Sequence, residues 1–151
     1  MWLGCFVKQL GDDEKKLCCR GEITDYKYET LEGQYVVKIH QETAWGEQTD
    51  VRELIEKTFP SVKVLYIVEE PGCEIFVTND EEGRFFPERF ALDGSEDHEY
   101  FETLEQVTKY LNEHYGIVAE SAEDIEKALD RYNEDHEEDD KYLYFHQFEV
   151  E

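Results

Sequence analysis

The 151-residue sequence predicts an α+β fold with a mainly antiparallel sheet. Three observations carry this. Two alternating runs flank a Glu-Gly turn in "EITDYKYETLEGQYVVKIHQE", a helical-period stripe lies between capping and proline signals in "TDVRELIEKTFP", and the chain closes on the aromatic, alternating "KYLYFHQFEV".

The first pair of runs is a hairpin about Glu32-Gly33, with Tyr35, Val37 and Ile39 on one face. In the helix that follows, Val51, Leu54, Ile55 and Thr58/Phe59 share a face, Asp50 and Glu53 stand at capping-box spacing, and Pro60 ends the run. "VKVLYIV" at 62–68 is nearly continuously apolar, as expected of a central strand covered on both faces. Pro71-Gly72 supplies a type II turn into a strand over "CEIFVTN", where Cys73 reads as a small buried residue. Asn79 to Gly83 turns the chain into "RFFPERFAL", whose Pro87 cannot donate to a ladder and so marks an edge or irregular strand.

Two helices come next. One starts at Thr103, with Gln106 at capping-box spacing and Leu104, Val107 and Leu111 on one side. The other opens at Ser121 and turns Ala122, Ile125, Leu129 and Tyr132 inward. From Tyr35 the order is βαββαβ. The expectation is therefore one ferredoxin-like sandwich over 1–151, with an added N-terminal strand, an inserted aromatic strand and an extra helix.

Charge narrows the function. The net charge is −24 and uneven: residues 1–68 hold 12 acids against 9 bases (−3), residues 69–151 hold 27 against 6 (−21). Such a surface repels phosphate backbones and anionic lipid and attracts basic partners, which disfavours direct nucleic-acid binding. No apolar run approaches the ~20 residues of a membrane span. Cys5, Cys18, Cys19 and Cys73 lack zinc-site spacing, and "MWLGCFVKQL" has neither a basic n-region nor a long apolar run, so reduced thiols in the cytoplasm are expected.

"ETAWG", "FPSVKVLYIVEEPGCEIFV" and "YFHQFEV" together resemble the YubB-type ferredoxin-like family of phage- and plasmid-borne proteins and its relatives in gut bacteria. The resemblance is good over 34–80 and looser beyond. Where that family follows the tryptophan with a small residue and two prolines, this chain has Gly46-Glu47-Gln48. The resemblance implies a fold and a mobile-element origin, and brings no activity or cofactor with it.

Two sites compete. His40, Glu42 and Trp45 could form an acid–base pair beside an aromatic wall, for a small-molecule binder or an enzyme. The simpler expectation is that Trp45 plugs the sheet edge, Gly46 permits the bend and Glu42 is solvated, which makes the stretch a joint. The second site is the exposed face of the 121–136 helix, with Glu123, Asp124, Glu126, Asp130 and Glu134; residues 121–140 hold ten acids against Lys127 and Arg131. Spaced carboxylates on a rigid helix can imitate phosphates, so the first expectation is a non-enzymatic protein whose acidic half meets a basic protein surface.

Catalytic signatures are missing. Glu69 and Glu70 read as solvated turn-flanking acids, and none of the three serines lies in a G-x-S-x-G context. His98, His114 and His136 lack H-E-x-x-H spacing, "NDEEG" fails the EF-hand register, and there is no P-loop or G-x-G-x-x-G.

Overall fold

The computed structural model describes residues 1–31 and 33–151, so Glu32 of the expected turn lies outside the described residues. The architecture is α+β, with four helices and eight strands among the described residues. Backbone contacts group the chain into two compact units, Met1–Val64 and Leu65–Glu151.

The first unit contains α1 (Leu3–Gln9), β1 (Gly21–Leu31), β2 (Gln34–Thr43) and α2 (Thr49–Thr58). Helix α1 was not expected, because "LGCFVKQ" has the length of only two turns and no capping side chain. It forms because Leu3 and Val7, four apart, pack with Cys19, Val51 and Leu54 into the core of this unit. The antiparallel β1–β2 hairpin is as predicted, with a register shift between Ile23 and Asp25. Helix α2 occupies its predicted place and buries Val51 and Leu54, but the expected Asp50–Glu53 box is not its cap. Gln48 is the N-cap, and Asp50, already helical, accepts the Cys18 N–H at 2.6 Å.

The second unit runs β3 (Ile67–Glu70), β4 (Ile75–Thr78), β5 (Phe90–Gly94), β6 (His98–Phe101), α3 (Leu104–Tyr115), α4 (Ala122–Asp135), β7 (Leu143–Gln147) and β8 (Glu149–Val150). Its strands form two three-stranded sheets, β3-β4-β8 and β6-β5-β7. Pairing is antiparallel except between β4 and β8. Among the described residues the strands pair as three separate sheets, not as the single sheet of a ferredoxin-like sandwich.

Three expectations change here. The central strand at 62–68 begins only at Ile67 and lies at a sheet edge; Val62 and Lys63 are exposed, so the apolar run is not a doubly covered strand. The Pro71-Gly72 turn is a 3₁₀ turn closed by Glu74 in the left-handed region (φ 56°), and it leaves Cys73 exposed. Pro87 precedes β5, which is the middle strand of its sheet.

Alternation on β5 sends Leu92 to one face and Ala91 and Asp93 to the other. Leu92 joins Val107, Leu111, Ile125, Leu129 and Leu143 in the main core, the helix stripes predicted for α3 and α4. Ala91 packs with Phe76 and Phe148 in a second cluster. Both helix starts are capped as predicted: Thr103 and Gln106 form a reciprocal capping box, and Ser121 Oγ accepts the Asp124 N–H at 3.2 Å. No helix among the described residues is long and apolar enough to cross a membrane.

Candidate functional site

Ionic asymmetry follows the unit boundary. Residues 65–68 carry no charge, so Leu65–Glu151 holds the whole excess of 27 acids over 6 bases.

On α4, Ile125 and Leu129 face the core, which forces the intervening carboxylates outward, and all five predicted acids are exposed. At 3.6 residues per turn, Glu123, Glu126, Asp130 and Glu134 fall within an arc of about 80°, with a rise of about 6 Å between residues four apart. Asp124 stands apart, about 100° round from Glu123, with Lys127 and Arg131 between. It is also occupied, since its Oδ2 accepts the Ser121 hydroxyl at 2.8 Å within the helix cap. Lys127 Nζ lies 2.5 Å from Glu123 Oε1, which leaves Glu126, Asp130 and Glu134 as the open part of the stripe. Beyond the helix, Glu137–Asp139 form a 3₁₀ turn whose carboxylates extend the exposed acidic run.

The same unit holds an open groove of about 400 Å³. Glu88, Glu102 and Glu113 line it beside the rings of Tyr100 and Tyr110, with Lys109 at the side. Carboxylates next to aromatic faces suit a cationic side chain.

Where β3 meets the outer face of the β6-β5-β7 sheet, a polar cluster forms that the sequence did not reveal. Register places His98 opposite Asp93 and both Tyr100 and His146 opposite Ala91. His98 Nδ1 is 3.3 Å from Asp93 Oδ1, its Nε2 is 3.7 Å from Glu69 Oε2, and the Tyr100 hydroxyl donates to that same Glu69 oxygen at 2.7 Å. Glu69 is thus a half-buried acceptor, not a solvated turn acid. Burial, then the Glu69 hydrogen bond and its charge, hold the Tyr100 phenol protonated far above the ordinary tyrosine range. His146 stacks on Phe76 at 4.0 Å and its Nε2 is buried without a hydrogen-bond partner. Burial lowers its pKa, which favours a neutral ring. The cluster ties the two sheets together. Among the described residues no three His, Cys, Asp or Glu side chains are placed to hold a metal ion.

At the corner in the first unit Trp45 does not plug the sheet edge as expected. The indole is 70% exposed, at a left-handed φ of 69°. His40 and Glu42 are exposed on β2, and the three residues line neither the groove beside Tyr100 and Tyr110 nor the shallow concavity at residues 147–150. The corner is built by Gln48, which is only 6% exposed. Its Oε1 accepts the Arg20 N–H at 2.9 Å, and its Nε2 donates to the carbonyls of Ala44 (3.2 Å) and Gly46 (3.3 Å). Gly46 permits the bend as expected: it is buried at φ 115°, and its carbonyl also accepts the Thr43 hydroxyl at 2.7 Å. A glutamine three residues beyond a tryptophan carries no sequence signal for this role.

Compared with known proteins, the chain matches no family model, no curated protein and no solved structure.

Proposed function

We propose that Leu65–Glu151 is a non-catalytic binding unit whose acidic surface docks a basic protein surface, with nucleic-acid mimicry as its concrete form. One observation carries the reading: a net charge of −21 sits on a single compact unit, where the Glu126, Asp130 and Glu134 stripe is exposed on a rigid helix. Solubility alone does not require this asymmetry, since the first unit stands at −3. A charge about every 6 Å along α4 is of the order of the phosphate repeat that basic nucleic-acid-binding proteins read. The groove flanked by Glu88, Glu102 and Glu113 adds a place where a partner's Lys or Arg can lodge between carboxylates and tyrosine rings. Kinship with the YubB-type family and a mobile-element origin form part of this proposal. They are supported by "ETAWG" and "YFHQFEV" and by the run strand, helix, strand, strand over β2, α2, β3 and β4, after which β5 and β6, a pair of helices and the strands β7 and β8 follow. Four free cysteines suit a reducing, cytoplasmic setting.

The test is affinity capture from host lysate with two baits, the wild-type chain and a Glu126→Gln, Asp130→Asn, Glu134→Gln variant. Basic, nucleic-acid-binding proteins should be enriched on the wild-type bait at low salt, depleted on the variant and displaced by added DNA. The same set of proteins on both baits would overturn the reading.

A further inference from the structure

The β1–β2 hairpin exposes an apolar face that the proposed acidic surface does not use. Cross-strand pairs put Tyr26 opposite Ile39, Tyr28 opposite Val37 and Thr30 opposite Tyr35. Direct partners and residues two apart share a face, so these six side chains line one side of the ribbon. The exposed fractions are large: Tyr26 60%, Tyr28 75%, Tyr35 94%, Val37 52% and Ile39 38%. The opposite side carries Asp25, Lys27, Glu29, Lys38 and His40, with a Lys38–Glu29 ion pair at 2.8 Å, and beside the turn Leu31, Gln34 and Val36. One side is mostly charged or polar and the other is uncharged and rich in rings, and the uncharged side is turned to solvent.

We propose that this face is a self-association surface whose occupant is a second copy of the same chain. Three features select that occupant. The first is shape. Each rung sets a large ring beside a smaller side chain: Tyr beside Ile, Tyr beside Val, then Thr beside Tyr. A two-fold axis along the ribbon lays β1 of one copy over β2 of the other, so every ring meets the smaller residue of the same rung, the self-complementarity that an isologous interface requires. The second is charge. None of the six side chains carries one at neutral pH, and the unit that bears them is at −3, so two such faces meet without burying ions. The third is area. At roughly 200 Å² per fully exposed aromatic, the three tyrosines with Val37 and Ile39 offer at most about 600 Å² per copy, or about 1,200 Å² for the pair, so full coverage just reaches the lower bound of stable interfaces. A two-stranded ribbon is also marginal by itself, and stacking two supplies the missing layer.

Sedimentation velocity from about 1 to 100 µM tests the proposal, with nitration of tyrosines followed by peptide mass mapping at both ends of that range. Wild-type chain should pass from monomer to dimer, with Tyr26, Tyr28 and Tyr35 losing reactivity as concentration rises. A Tyr28→Lys, Val37→Lys variant sets like charges face to face across the two-fold and should weaken dimerisation roughly 30-fold or more. Wild-type chain that remains monomeric at the highest concentration overturns the proposal. So does a dimer in which those tyrosines keep their monomer reactivity. These two wild-type readings decide the matter even if the variant fails to fold.

Discussion

Replacing Gln48 and Trp45 in turn separates the residue that builds the corner from the one that merely marks it. In Gln48→Ala the Arg20 N–H loses its acceptor at 2.9 Å, and the Ala44 and Gly46 carbonyls lose donors at 3.2 and 3.3 Å. An unsatisfied buried group costs about 1–3 kcal/mol; with water reaching part of the opened site, a total loss of about 2–4 kcal/mol is expected. Trp45→Ala removes a ring that is 70% exposed and should change stability by no more than about 0.5 kcal/mol. Trp45→Gly relieves the left-handed φ of 69° and should stabilise by up to about 1 kcal/mol. The assay is urea unfolding followed by tryptophan fluorescence; both tryptophans lie in the first unit, and in the Trp45 variants Trp2 alone reports on it. A Trp45→Ala loss of 3–5 kcal/mol, the cost of emptying a buried aromatic site, with Gln48→Ala neutral, would refute this reasoning.

Three further outcomes follow from the second unit. Asp80 is 3% exposed; burial raises its pKa, but the Phe85, Phe86 and Arg84 N–H groups outweigh that, and the net shift is downward. Its folded-state pKa lies below its unfolded one. The stabilisation is therefore present above the ordinary aspartate pKa and is lost as pH falls below it toward the folded value. Asp80→Asn should cost about 1–3 kcal/mol at pH 7 and flatten the acid limb of a pH–stability curve measured by circular dichroism; an acid limb identical to wild type contradicts the role. Ser121→Ala removes the α4 cap and should cost about 1 kcal/mol in urea titrations, whereas no change would mean the cap is idle. The Glu126→Gln, Asp130→Asn, Glu134→Gln variant should keep or slightly raise the thermal midpoint, because those side chains avoid the Ile125 and Leu129 stripe and repel one another; a clear drop would place them in structural pairing.

Legibility tracked how local the determinants are. Helices α2, α3 and α4 can be read directly because their apolar period and punctuation lie within one segment: Pro60 after α2, Thr103 with Gln106, and Ser121. The β1–β2 hairpin shows for the same reason. Helix α1 depends on tertiary contacts with Cys19, Val51 and Leu54, which its seven residues do not announce. Strand β6 was missed because "HEYF" has little apolar content and takes its place from pairing with β5. Residues 141–150 read as one strand, yet β7 pairs with β5 and β8 with β4, a change of partner at buried Phe148 invisible in the alternation. At the sites, exposure of the α4 acids followed from helical period alone. The Asp93, His98, Glu69 and Tyr100 cluster joins three strands distant in sequence, and Gln48 acts through backbone atoms, so neither leaves a motif.

Association rates between a captured basic partner and the chain, measured by surface plasmon resonance across a salt series, test the central claim most directly. If field from the acidic unit drives docking, the wild-type on-rate should fall steeply as salt rises. The Glu126→Gln, Asp130→Asn, Glu134→Gln variant should associate more slowly at low salt and lose less as salt rises, with its dissociation rate little changed. Equal on-rates and equal salt slopes for the two proteins would contradict the account.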